Sequence, residues 1–171
     1  YNQTIELAYY GASVIHPKTM QPLKAKKIEL HIKSFIDSSR KGTVVKESNS
    51  QDKPVNSIIV KKNQTLLHLS TRDFSFIIEE HLGTIFKILA ESKIKVNLMQ
   101  NTAISFDLCI DTPKRKGVMT SILEELSPIF KTNLKENLSL YTFFGNYKKE
   151  ALNNIILEQK HNNITHIVCN C

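Results

Sequence analysis

Thiols, imidazoles and paired carboxylates are the side chains with chemistry to offer, and in this sequence their spacing restricts it. The three cysteines, Cys109, Cys169 and Cys171, form an odd set with no CxxC pair. That supports neither a disulfide framework nor a four-ligand zinc site. Cys169 and Cys171 alternate onto one face of a strand-like tail, but two sulfurs without neighbouring ligands do not complete a metal site. Reduced thiols and no metal are expected. His16 precedes Pro17, Lys18 and Thr19, a pattern that caps and opens a helix, since proline at the first helical position gives up no useful N–H. His81 falls in the first turn of another helix, behind Glu79 and Glu80, carboxylates that a helix N-terminus favours. Phosphoryl transfer needs lysines, backbone donors and magnesium around the phosphates, and the five glycines build no glycine-rich cradle. No catalytic residue is assigned, and no cofactor is expected within these residues.

The net charge of +7 raises the question of nucleic acid. The lysines are scattered: Lys24, Lys26 and Lys27, then Lys61 and Lys62, then Lys114 with Arg115 and Lys116, then Lys148 and Lys149 fall at separate turns or helix ends. No interleaved aromatics make a stacking platform among them, so a solvated surface is expected and nucleic acid is not. The apolar run at 94–99 is broken far short of the ~20 residues a bilayer requires, and no secretory leader opens the chain. A cytoplasmic protein without a membrane partner is expected. Tyr1 lies inside a helical pattern, so these residues read as a piece of a longer polypeptide.

The elements that must position any site follow from periodicity. Residues 5–10 read as a helix closed by Gly11, a second helix opens at Pro17, and 29–35 alternate as a strand with Leu30 and Ile32 on one face. The polar, turn-rich stretch 46–57 reads as a linker and domain boundary. Beyond it, 65–69 form a short apolar strand. A helix over 79–92 then sets Leu82, Ile85, Phe86 and Leu89 on one face as core. Ile94, Val96 and Leu98 alternate, Gln100, Asn101 and Thr102 turn the chain, and Ile104, Phe106, Leu108 and Ile110 alternate back. A helix with Val118, Ile122 and Leu126 inward ends at Pro128, and an extended segment resumes near Ile129. The order β-α-β-β-α-β is the split-βαβ, ferredoxin-like arrangement, an α+β fold. A faint repeat follows: Leu98-Met99-Gln100 leading to Ile104-Ser105 is echoed by Leu157-Glu158-Gln159 leading to Ile164-Thr165, with one extra residue in the second turn. With a strand over 138–144 and a short helix over 148–153, the tail reads as a second, partial module. Its open sheet edge calls for cover from the first module, the strand 58–60 or another chain.

The stretch Glu6-Leu7-Ala8-Tyr9-Tyr10-Gly11-Ala12-Ser13-Val14-Ile15-His16-Pro17-Lys18-Thr19 closely resembles the end of the kinase domain in aspartate kinases, and Gly42-Thr43 resembles the GT that closes that domain. The remaining sequence is similar to the tandem ACT domains of the same family. The resemblance implies a helical remnant of an amino-acid-kinase domain over 1–45, with Gly11, His16, Pro17 and Thr19 as its motif residues. It implies a linker over 46–57, a first ACT domain over 58–135 and a second, partial one over 136–171. It also implies that the full-length protein, with ATP and Mg, phosphorylates L-aspartate, that this region alone is inactive, and that ACT domains pair in a homodimer.

The family binds an amino-acid effector, lysine as the first expectation and threonine as the second, where modules meet. A zwitterion there needs donors for its carboxylate and acceptors for its ammonium. By resemblance the effector residues are Ser75, Phe76, Ile77, Ile78, His81 and Leu82 in the strand-to-helix loop, Lys95, Val96 and Asn97 at the next strand, and Asn101 and Thr102 across from it. Where lysine-sensitive relatives carry an aspartate and a Thr-Ser-Glu turn, this chain has Asn97 and Asn101-Thr102-Ala103. Three readings stay open: an uncharged effector, a lysine site built on Glu79 or Glu80, or modules that only dimerise.

Overall fold

The computed structural model describes residues 1–12, 15–47, 56–145 and 152–170, and the chain divides into two compact units, Tyr1–Ile59 and Val60–Cys171.

The first unit holds α1 (Asn2–Tyr10), α2 (Pro17–Ala25), β1 (Leu30–Ile32) and β2 (Thr43–Val45). Gly11 closes α1 at φ 123°, a conformation that side chains with a Cβ avoid. His16 caps α2, its Nδ1 accepting from the Lys18 N–H at 3.2 Å. Met20 and Val45 are buried among Ile5, Leu23, Leu30 and Ile32. The strand expected over 29–35 stops at Ile32, because its antiparallel partner begins opposite it at Thr43; Phe35 is fully exposed. Gly42 makes that pairing possible. It sits at φ 71°, and a Cβ there would lie 2.3 Å from the Ile32 carbonyl oxygen. Gly42→Ala is therefore expected to destabilise this unit by about 1–3 kcal/mol, seen as an earlier unfolding midpoint; a midpoint unmoved from wild type would contradict the close approach.

The second unit is built on β3 (Ser57–Thr71), α3 (Glu79–Glu91), β4 (Val96–Asn101), β5 (Ser105–Asp111), α4 (Val118–Leu126), β6 (Phe130–Phe144), β7 (Ile155–His161) and β8 (Ile164–Cys169). One six-stranded sheet runs β4-β5-β3-β6-β8-β7, so β3-α3-β4-β5-α4-β6 is the ferredoxin-like arrangement that periodicity predicts. The separate strands expected at 58–60 and 65–69 are one strand, β3. Asn63 at φ 55° turns its backbone without ending it, a conformation asparagine tolerates. β6 is likewise continuous through Asn137 at φ 59°, and the expected domain division at 135/136 falls inside it.

The helix face of the sheet buries Leu67, Leu69, Phe106, Leu108, Ile110 and Phe130 against Ile85, Ile88, Leu89, Ile122 and Leu126. Ile88 belongs to that core. Phe86, expected within it, is 37% exposed and only edges onto Phe106, since its position lies at the margin of the apolar stripe. Ile104, expected to open the second hairpin strand, is exposed in the turn. The opposite face buries Leu66, Leu98, Cys109, Leu138, Leu140, Leu157 and Val168. Leu66 on β3 and Leu157 on β7 line one cleft although they are three strands apart, about 14 Å in a flat sheet, so the sheet curls toward this face.

The repeat is stronger than its sequence. Val96 and Leu98 pair with Ile110 and Cys109 across a register shift, and Ile155 and Leu157 pair with Cys169 and Val168 across the same shift. The extra residue expected in the second turn is absent: the Thr102 N–H donates to the Ser105 carbonyl where His161 pairs with Ile164, so Ser105, not Ile104, is the counterpart of Ile164. The edge a partial module would leave open is occupied, because β6 lies between β8 and β3. The helix expected over 148–153 falls mostly outside the described residues, and Leu152 and Asn153 are not helical.

Cys109 and Cys169 are buried; Cys171 lies outside the described residues. Burial pushes the Cys109 thiol up to about 12, and the thiolate is the reactive form. Iodoacetamide at pH 8 is expected to leave Cys109 and Cys169 unmodified in the folded chain and to label both in denaturant, as peptide mass mapping would read. Rapid native labelling of Cys109 would contradict its burial.

Candidate functional site

The loop entering α3 is fastened to the β4–β5 turn. Thr71 N–H donates to the Ile104 carbonyl and Ile77 N–H to the Ala103 carbonyl at 2.8 Å, while Thr71 Oγ1 donates to the Ser75 carbonyl. Asp73 accepts from Ser75 N–H, and hydrogen bonds from Ser75 hold its carboxyl below the usual value. Thr102 Oγ1 accepts from Ser105 N–H and lies 2.7 Å from Ser105 Oγ. His81 Nδ1 accepts from Ile78 N–H and its ring stands edge-on to Phe130, so the imidazole caps its own helix. Glu79 and Glu80 occupy the first turn of α3. Phe74, Phe76 and Ile78 are exposed, with Lys131 Nζ 5.6 Å from the Phe74 ring centre; Leu82 is partly buried against the helix-side core.

Lys95, Val96 and Asn97 are at the other end of β4. Asn101 is four positions beyond Asn97, about 13 Å along an extended strand, so the residues assigned by resemblance form two groups rather than one. Val96 packs on the helix-side core. Asn97 is the hub of a polar cluster that sequence reading missed: its Oδ1 accepts from Lys61 Nζ at 2.9 Å, and its Nδ2 donates to Gln64 Oε1 at 2.8 Å and to Asp111 Oδ1 at 2.7 Å. Gln64, 2% exposed, donates in turn to Asp111 Oδ1 at 3.0 Å. Burial and the neighbouring Lys95 charge lower the Lys61 pKa, against the pull of Asp111. Burial raises that of Asp111, but hydrogen bonds from Gln64 and Asn97 and the charges of Lys61 and Lys95 outweigh it, and its carboxyl lies below the usual value. Gln64 was the available signal, an amide set directly before an apolar strand where a buried polar group must find partners.

No protein-family profile matches the chain. It is 28% identical over 160 residues to aspartokinase 1 (chloroplastic) of Arabidopsis thaliana, covering 89% of this chain and 28% of that protein. It is 29% identical over 154 residues to lysine-sensitive aspartokinase 3 of Escherichia coli, covering 87% of this chain and 34% of that protein. The crystal structure of E. coli aspartokinase III in complex with lysine and aspartate matches 97% of this chain and 41% of that one, with a TM-score of 0.78 at 26% identity. This chain is aspartokinase-like. It spans about a third of the length of the curated relatives it matches, and its fold is that of an aspartokinase ACT regulatory region. Clostridium acetobutylicum aspartate kinase shares that fold, with a TM-score of 0.81 at 23% identity.

The aspartokinase-like motif residues of the first unit have local duties: Gly11 ends α1, Pro17 opens α2 behind its His16 cap, and Thr19 lies exposed in the first turn. Among the described residues no three His, Cys, Asp or Glu side chains gather as a metal site, and no helix is long and apolar enough to cross a membrane.

Proposed function

We propose that the chain is the effector-sensing and dimerising region of an aspartate kinase that transfers the γ-phosphoryl of ATP to the side-chain carboxylate of L-aspartate in the cytoplasm. The observation that carries this reading is the match of 97% of this chain, both repeats included, to part of E. coli aspartokinase III. On this reading ATP and Mg act in the full-length kinase, the phosphoryl chemistry lies outside these residues, and this region alone is inactive. Its ACT modules pair as a homodimer, and an amino acid, lysine first and threonine second, binds where they meet. Binding inhibits by favouring one of two arrangements, a coupling of about 1–3 kcal/mol being typical.

The full-length protein, assayed for ATP-dependent formation of 4-phospho-L-aspartate, should be active and lose activity as lysine or threonine is added. Absence of aspartate-dependent ATP turnover would overturn the kinase reading. A second reading, a dimerisation scaffold, is favoured by one observation: the Asn97 amide already has all three contacts within its own chain. Activity indifferent to every amino acid would select it.

A further inference from the structure

β3 pairs with β5 so that His68 faces Asp107, and β6 pairs with β8 so that Thr142 faces His166. These are equivalent positions of the two repeats, and they have diverged. In the second repeat both side chains are buried, Thr142 Oγ1 and His166 Nδ1 lie 3.1 Å apart, and burial lowers the His166 pKa, which keeps the pair neutral. In the first, His68 Nδ1 and Asp107 Oδ1 lie 2.7 Å apart with their side chains 44% and 24% exposed, and both border a cleft of about 330 Å³. That volume falls within the roughly 300–1,000 Å³ of small-ligand sites.

The cleft is on the sheet face away from α3 and α4. Leu66, Ile156 and Leu157 supply its apolar wall, and Asn133 and Lys135 its polar rim. Among the described residues Lys135 has no anionic partner, and the Asp107 carboxylate has none beyond His68. One cation, one anion with an oxygen to spare and an apolar wall together select a ligand with both charges and an apolar substituent. A simple anion would meet the Asp107 carboxylate as a like charge, and a simple cation would meet the Lys135 ammonium as one, so a ligand carrying both charges suits the cleft best.

We propose that this cleft is a second small-molecule site, for a free α-amino acid with an apolar side chain. Its carboxylate meets Lys135 and the Asn133 amide, its ammonium meets Asp107, and its side chain lies on Leu66, Ile156 and Leu157. The site is distinct from the loop and turn residues 75–82, 101 and 102, and it does not depend on which effector, if any, those bind.

Titrating the 171-residue chain with L-leucine, followed by amide NMR, tests it. Saturable shifts are expected at Leu66, His68, Asp107 and Leu157, with N-acetyl-L-leucine and L-leucinamide, each lacking one charge, binding about tenfold or more weakly. Asp107→Asn and Lys135→Gln should each weaken leucine by about tenfold; Lys135 is exposed, so that variant tests the site even if Asp107→Asn fails to fold. No saturable shift at these amides up to about 50 mM leucine in a folded sample, or blocked analogues binding as well as leucine, would overturn the proposal.

Discussion

Phe130→Ala is expected to destabilise the second unit by about 3–5 kcal/mol, the range for truncating a buried aromatic. Phe130 is fully buried at the start of β6, packed in the core formed by α3, α4 and the sheet, with His81 edge-on to its ring. The loss combines the transfer of the ring with the cavity it leaves, because a core pinned between two helices and a sheet closes only partly around it. His81 would also lose the surface that steadies the cap of α3. Chemical denaturation provides the measurement, and Phe74→Ala the control. Phe74 is 76% exposed, so its removal should cost about 0.5 kcal/mol or less. Equal losses for the two variants would mean the helices do not pack as described.

Asp111→Ala should cost about 2–3 kcal/mol through a different mechanism. It removes the acceptor shared by Gln64 and Asn97, leaves the buried Gln64 amide short of a partner, and leaves Lys61 beside Lys95 without their common anion. Breaking a fully buried pair costs more, but solvent reaches this cluster and screens it. Adding Lys61→Met removes one of the two stranded cations, so the double variant should be less destabilised than the sum of the single ones. Acid titration gives an independent check. The Asp111 carboxyl lies below its ordinary value of 3.8 in the folded state. Its stabilisation is therefore complete above 3.8 and lost as pH falls from there through the folded value. The acid limb of the stability curve should be shallower in Asp111→Asn than in wild type; coincident limbs would remove Asp111 from the account.

The order β-α-β-β-α-β is legible because apolar spacing changes from alternation in the strands to a helical stripe at Ile85, Leu89, Ile122 and Leu126. What the sequence conceals is continuity. Lys61, Lys62, Asn63 and Gln64 look like a turn, yet a single left-handed asparagine lets β3 pass through them, and Asn137 does the same for β6. The curl of the sheet is equally hidden, since it depends on Leu66 and Leu157 meeting around one cleft rather than on any local signal. For the site, the resemblance points to the residues but not to their grouping. Asn97 and Thr102 are close in sequence, but an extended strand turns that short interval into opposite ends of β4. The partners of Asn97, namely Lys61, Gln64 and Asp111, come from strands that only the fold brings together.

The most direct test of the central claim is a thermal-shift titration of the 171-residue chain with lysine and with threonine. A ligand bound only by the folded state, at about 100 times its dissociation constant, adds about 2.7 kcal/mol. A saturable rise in melting temperature with one of the two, lysine first, is the predicted result. A melting temperature unmoved by either would contradict effector sensing by this region and leave dimerisation as its role.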